Sequence, residues 1–180
     1  MLRFQIGLGL APYAASQPQA SRGGQQEAAG HMRTRRSNKV ADLLKTKAPG
    51  AVTIKPSESI AILARRLQQE RMGAMVVSKD GRSVDGIISE RDVTYALALH
   101  RGQLHTLPVS SLMTKNVVTC SPQDNLAEVS KVMAARHIRH VPVVDGGCLV
   151  GVIGMRDVFM HRLDEMQHVT QLLRSYIASE

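Results

Sequence analysis

Apolar positions along this chain follow two rhythms that alternate and then begin again. Ile60, Leu63, Ala64 and Leu67 recur at three- and four-residue spacing, the mark of one buried helical face, while Arg65, Arg66, Gln69 and Glu70 fall largely on the opposite side. Residues 74–78 and 85–89 are then apolar almost throughout and are separated by Asp80-Gly81, which predicts a hairpin whose turn uses positive-φ residues. The same succession returns later. Leu126, Val129, Ser130 and Met133 mark a second helical face, and runs at 140–144 and 149–154 flank Gly146-Gly147. Strands without polar alternation predict a sheet covered on both faces. Asn125 with Glu128 three residues on has capping-box spacing and predicts a helix start there.

Each half also has a shared preamble and close. A short helical motif comes first, Val40-Ala41-Asp42-Leu43-Leu44 and Val109-Ser110-Ser111-Leu112-Met113. A short strand follows at 51–54 and 116–120, stopped by Pro56 or Pro122. A last helix begins near Arg91 and near Arg156. Val52-Thr53-Ile54-Lys55-Pro56 therefore returns as Val118-Thr119-Cys120-Ser121-Pro122, and Gly86-Ile87-Ile88-Ser89-Glu90-Arg91-Asp92 as Gly151-Val152-Ile153-Gly154-Met155-Arg156-Asp157. The single slip in spacing falls in the Gly/Asp turn, as expected of a duplicated structural unit. Neither copy is large enough to bury much surface alone, so the two are expected to share a core and an interface.

The reading is thus two β-α-β-β-α units behind helical lead-ins, an α/β (α+β) fold with pseudo-two-fold symmetry. Its parts are a leader at 1–38, units at 39–101 and 108–162, and an amphipathic helix at 163–180 with Met166, Val169, Leu173, Tyr176 and Ile177 on one apolar face. The lead-in, the "VTxxP" strand, the apolar hairpin and the Gly-x-x-x-x-Arg-Asp turn, occurring twice in the same order, resemble the cystathionine-β-synthase (CBS) domain over residues 39–162. The tandem arrangement resembles a Bateman module, and a pair with little else attached is similar to the stand-alone proteins of that family. The resemblance implies an adenosyl ligand (AMP, ADP, ATP, NAD(H) or S-adenosylmethionine) held in a cleft between the repeats. It also implies a regulatory role toward another, unidentified protein, no chemistry of its own, and pairing into a homodimer shaped as a disc of four domains.

Composition alters this picture only at the edges. Hydrophobic residues make up 43% of 180 and charged residues 21%, which suits one or two compact domains. Aromatics are 3% with no Trp, so the core is built from Val, Ile, Leu, Ala and Met, and stacking platforms for single-stranded nucleic acid are not expected. The net charge of +8 sits mainly at one end: residues 1–40 carry six basic groups against Glu27 alone, and the remainder carries 17 against 14. A basic tail touches phosphate or membrane surfaces without specificity. No specific nucleic acid and no membrane partner are therefore expected, and the competing reading is a nucleic-acid or scaffold-binding protein that uses the tail.

The leader at 1–31 is poor in acids and rich in Ala, Gly, Gln and Ser. Its apolar run of Phe4, Ile6, Leu8 and Leu10 is too short to span a membrane. A solvated extension ahead of a start at Met32, a secretory signal and an organellar transit peptide all stay open. Cys120 and Cys148 stand far apart with no CxxC neighbour, which indicates neither a zinc site nor a disulfide framework and suits a reducing compartment. The expected location is the cytoplasm, or an organelle matrix if the leader is a transit peptide.

Ser89-Glu90-Arg91-Asp92 lies where a strand turns into a helix, and the residues alone admit two readings. Ser-x-x-Asp forms a capping box, in which Ser89 accepts from an early helical N–H and Asp92 reaches back. The same free N–H groups attract a phosphate, and a carboxylate one turn in accepts a ribose diol. The family resemblance implies the second, with Ser89 on phosphate and Asp92 on ribose. In the second copy Gly154 replaces the hydroxyl residue while Asp157 is kept. Copy two also has Arg139-His140 before Val141-Pro142, where copy one has Gly73-Ala74 before Met75-Val76. The resemblance implies that this basic pair meets phosphate in the cleft holding Asp92.

The expected first site is Ser89, Arg91, Asp92, Val117, Val118, Thr119, Arg139, His140, Val141 and Pro142. A weaker second site is expected from Val52, Thr53, Ala74, Met75, Gly154 and Asp157, suited to a less charged ligand or to none. No metal is expected, because His137 and His140 lack a third ligand at suitable spacing. No catalytic residue is expected either, since the chain shows no Ser/His/Asp grouping, P-loop or GxGxxG. Hydrolysis of the bound nucleotide is the competing enzymatic reading.

Overall fold

The computed structural model describes residues 38–178. The expectations for the leader at 1–37 lie outside the described residues, as does the side chain of Leu173. The helices are α1 (Val40–Leu44), α2 (Ile60–Gln69), α3 (Glu90–His100), α4 (Leu126–Ala135) and α5 (Met155–Ile177). The strands are β1 (Thr53–Ile54), β2 (Ala74–Val77), β3 (Gly86–Ser89), β4 (His140–Asp145) and β5 (Cys148–Gly154). Two 3-10 turns, Arg101–Thr106 and Val109–Ser111, join the halves.

Local chemistry explains most of these limits. Ser59 caps α2 by accepting from the Ile62 N–H at 3.4 Å, and the helix buries Ile60, Leu63 and Leu67. Ala64, expected on that face, is exposed; it lies at the flank of the stripe, where a single methyl does not reach the core. Asn125 caps α4 through the Ala127 N–H at 2.8 Å, but the expected box stays open because Glu128 pairs with Lys131 instead. Helices α2 and α4 end alike. Met72 N–H donates to Leu67 O and Ile138 N–H to Met133 O, both at 2.9 Å, and the turning residues Arg71 and His137 have φ of 52° and 54°. These are Schellman ends that lack the usual glycine.

In the first half β1 runs parallel to β2 (Thr53 opposite Val76), and β2 is antiparallel to β3 (Ala74 opposite Ser89). In the second, β4 and β5 are antiparallel from His140 opposite Gly154 to Asp145 opposite Cys148. Gly81 and the pair Gly146-Gly147 take positive φ in the two hairpin turns. The strand expected at 116–120 shrinks to one bridge, in which Cys120 N–H donates to Pro142 O and Val144 N–H to Cys120 O. Just ahead of that segment, Thr114 and Ile87 exchange both backbone hydrogen bonds, at 2.9 and 3.0 Å.

The two cores exchange their lead-ins. Val40 and Leu43 of α1 pack with Leu126, Val129, Met133, Val141, Val143 and Ile153, all from the second half. Val109, with Leu112 and Met113 against it, packs with Ile54, Ile60, Leu63, Met75 and Ile88 of the first. Backbone bonds secure each exchange: Val40 N–H to Asp124 O, Leu126 N–H to Asn38 O, Ile60 N–H to Leu107 O and Val109 N–H to Glu58 O. Each core therefore draws on residues of both sequence units, 39–101 and 108–162. Residues 163–177 are not a separate element, because α5 runs unbroken for 23 residues from Met155. Met166, Val169, Tyr176 and Ile177 on it are exposed. Cys120 lies in the second core, where burial first, then Asp124, pushes its thiol up to about 12 and leaves it unreactive.

The glycines of the repeated motif find their reason here. A Cβ on Gly151 would lie 2.7 Å from Cδ2 of Leu44, and one on Gly86 would lie 2.7 Å from Sδ of Met113 and 3.0 Å from the Thr114 carbonyl. Each glycine lets the other half's lead-in approach its hairpin. Gly86→Ala is expected to lower stability by about 1–3 kcal/mol through overpacking, with a smaller loss for Gly151→Ala because the Leu44 tip is free to rotate. Urea denaturation of both variants checks the order; an equal or reversed order would show that the Thr114 carbonyl does not limit the approach.

Candidate functional site

A cavity of about 510 Å³ opens between the halves, where the start of α3 faces the segments 114–118 and 136–140. Its making begins at the β3–α3 junction. Asp92 reaches back so that Oδ2 accepts both the Ser89 N–H and the Ser89 hydroxyl, each at 2.7 Å. The Ser89 hydroxyl is thus a donor to Asp92, not the acceptor of a helical N–H expected from the capping box. With Oδ2 engaged, Oδ1 takes no hydrogen bond from the described residues. Glu90 N–H is spent on Gly73 O at 3.0 Å, which leaves the N–H groups of Arg91 and Asp92 as the first available donors of α3.

The opposite wall is supplied by the second half. The Thr114–Ile87 bridge brings Thr114, Asn116, Val117 and Val118 against the hollow. The Schellman end of α4 turns Arg136, His137, Ile138, Arg139 and His140 toward it. Arg91, Arg136 and Arg139 stand around the rim against the carboxylates of Glu90 and Asp92. Apolar walls with a few polar anchors are the usual form of a small-ligand site.

Seven of the ten residues expected at the first site line this cavity: Ser89, Arg91, Asp92, Val117, Val118, Arg139 and His140. Thr119 is exposed and does not line it. Val141 and Pro142 are buried, because in β4 the residues after His140 enter the second core and its ladder. Gly73, Ile87, Glu90, Thr114, Asn116, Arg136, His137 and Ile138 line the cavity as well and were not foreseen. The run from Arg136 to His140 carried a signal in its density of cations; the others are brought in by register alone.

The second set is not gathered as expected. Ala74 lines the first cavity, because it pairs with Ser89 across the β2–β3 ladder, and Met75 is buried in the first core. Val52 packs against the first core and Thr53 pairs in β1. Gly154 and Asp157 do come together, through a 2.8 Å bond from Gly154 N–H to Asp157 Oδ2. Lys47, which no sequence pattern marked, joins them: its Nζ lies 2.6 Å from Asp157 Oδ2 and 2.8 Å from Val152 O.

His140 stands between the two corners. A Cβ on Gly73 would lie 3.3 Å from its Cε1, and one on Gly154 would lie 3.6 Å from its Cδ2. Burial holds its pKa below the ordinary 6.5; Lys47 and Arg139 add to the depression, while Asp157 and Glu90 oppose it. The folded site therefore favours the neutral imidazole more than water does. A group of metal-ligating side chains is absent among the described residues. A second hollow of about 490 Å³ beside α4 and α5 is lined by Ser130, Met155, Arg156, Val158, Phe159 and Arg162, none of them a residue expected at either site.

Known proteins show the same plan. The family model described as "CBS domain" matches residues 40–99 and again 109–164. The crystal structure of the CBS-domain containing protein ATU1752 from Agrobacterium tumefaciens superposes with a TM-score of 0.66 at 37% identity, over 69% of this chain and 98% of that one. The CBS domain protein PAE2072 from Pyrobaculum aerophilum, complexed with AMP, does so with a TM-score of 0.59 at 30% identity, over 66% and 88%. The CBS domain pair of protein MJ0100, in complex with 5'-methylthioadenosine and S-adenosyl-L-methionine, gives 0.60 at 25% identity, over 69% and 98%.

The depressed His140 pKa has a definite sign in folding. Unfolded chain binds a proton near pH 6.5 that the folded chain resists, so His140 contributes stability present above about pH 6.5 and lost as pH falls toward its folded pKa. His140→Gln is expected to flatten the fall in stability between pH 7.5 and pH 5, measured by urea titration at each pH. Parallel slopes for the two proteins would remove His140 as the source.

Proposed function

This chain belongs to the CBS-domain family, as a tandem pair of such domains, and we propose that it is a regulatory module whose Ser89–Asp92 cavity takes a phosphate-bearing adenosyl ligand. The observation that carries the reading is the meeting, in one hollow, of a restrained carboxylate at the start of α3 with Arg91, Arg136, Arg139 and His140. Asp92 Oδ1 suits a ribose hydroxyl, which needs an acceptor. The available N–H groups of α3 and the arginine rim suit phosphate, where guanidinium contacts are charge-assisted and directional. Val117 and Val118 give the adenine an apolar wall. The AMP complex of a neighbour at 30% identity supports the ligand class. Among AMP, ADP, ATP and NAD(H), the cationic rim favours the more highly charged members.

The module is read as acting by changing shape or surface for a partner protein. Among the described residues no helix is long and apolar enough to cross a membrane. We propose that a second copy of the chain is one partner. Tyr95, Leu97 and Leu99 on α3 and Phe159 and Met160 on α5 are exposed large apolar side chains on the two repeat-related helices, a pattern that suits a disc of four domains. Light scattering is expected to return twice the chain mass, and Leu99→Asp with Phe159→Asp to return one; a wild-type monomer at micromolar concentration would end the dimer reading.

Calorimetry with adenosine, AMP and ADP tests the site. Asp92→Ala is expected to weaken all three by roughly ten- to a hundredfold, the worth of about 1.5–3 kcal/mol for a hydrogen bond to a charged group. Arg139→Ala is expected to weaken ADP strongly and adenosine little, and Lys there to rescue only in part. Equal losses for ADP and adenosine would make Arg139 a packing residue, and an unchanged affinity in Asp92→Ala would move the ligand out of this cavity.

A further inference from the structure

The duplication builds two clefts, and the chain treats them differently. In the first, the segment after the Val109–Ser111 turn forms one wall and the β3–α3 junction the other, with the 510 Å³ hollow between them. In the second, the equivalent walls are the loop after α1 and the β5–α5 junction. That loop is three residues longer than its counterpart: seven residues part Leu44 from Val52, and four part Met113 from Val118. The added length carries Lys47, whose ammonium crosses to Asp157 Oδ2 at 2.6 Å and to the Val152 carbonyl at 2.8 Å.

The comparison at the carboxylates is direct. Asp92 Oδ2 accepts the Ser89 N–H and the Ser89 hydroxyl, both from its own junction. Asp157 Oδ2 accepts the Gly154 N–H in the same way, but its second donor comes from the facing wall. Gly154 has no hydroxyl to offer, and a cation fills that role while tying the walls together. Both partners are only about a third exposed, at 34% and 30%, so the contact is partly withdrawn from solvent screening. Leu44 seats on Gly151 one turn earlier and fixes where the loop begins.

We propose that Lys47 is a specificity-determining residue that bolts the second cleft. While Lys47 holds Asp157, its stem and ammonium cross the cleft from wall to wall and take the place a ribose would enter, so the module takes one adenosyl ligand per chain. The inference rests on the reading that these clefts accept adenosyl ligands, and it assigns the unequal use of the two to a single side chain. Lys47→Met removes the ammonium and keeps the apolar stem. Lys47→Arg keeps the charge and the bridge.

Isothermal titration of the full chain with AMP, and separately with adenosine, gives the decisive count. One binding event per chain is expected for wild type and Lys47→Arg, and two for Lys47→Met. The new event should vanish with Asp157→Ala in the Lys47→Met background and survive Asp92→Ala there. If Lys47→Met does not fold, Lys47→Gln carries the same test. A count that stays at one in the neutral variants overturns the bolt, and so does a wild type that already binds two; both results leave the first-site reading intact. A wild type that binds none, with a Lys47→Met variant that gains one Asp157-dependent event, supports the bolt and refutes the Ser89–Asp92 site. No binding in either refutes both.

Discussion

The exchange of lead-in segments between the two halves governs everything else in this molecule. Val40 and Leu43 complete a core otherwise built from buried residues from Cys120 onward, and Val109 completes one built from buried residues up to Leu104. A unit of about sixty residues buries too little surface to be secure by itself. Trading a helical turn gives each core apolar side chains that its own contiguous chain does not supply. The trade is locked by backbone hydrogen bonds at both ends, so the halves have no independent folded form with intact cores.

The clefts are a consequence of that exchange. A lead-in that docks on the other half must be followed by a crossing segment, and the crossing segment is the cleft wall. Thr114 shows the step most clearly: its two backbone bonds to Ile87 place Asn116, Val117 and Val118 opposite Asp92. The glycines at 86 and 151 set the depth of docking. Backbone architecture is therefore near-symmetric, and the chemical difference between the clefts comes from few side chains. Ser89 against Gly154, and a short loop against a longer one bearing Lys47, are enough to leave one cleft hollow and the other bridged. His140, lying against both Gly73 and Gly154, belongs to both clefts.

Much of the fold was legible because its signals are local. Helical stripes, hairpin glycines and the Asn125 cap depend on residues within one or two turns of each other. Misreadings arose where a second element competed for the same group. Glu128 had spacing for a capping box but also had Lys131 within reach. Segment 116–120 had strand character, yet the chain just ahead of it bridges to Ile87 through Thr114, and only Cys120 pairs within it. At the cavity, Ser89, Asp92, Arg139 and His140 stood out by motif and by charge, while the place of Ala74 on the same wall follows only from its ladder pairing with Ser89. Val141 and Pro142 follow His140 in sequence but turn inward in β4.

The amino-acid sequence by itself determined the duplication, the order of elements in each copy and the family. All of these rest on residue identity and short-range spacing. Tertiary structure alone decided which lead-in completes which core, which strand edge each cavity residue faces, and that Lys47 meets Asp157. Those contacts join residues from fifteen to more than a hundred positions apart, and nothing in short-range periodicity encodes such pairings. They are settled only when two apolar faces meet and carry their attached loops with them.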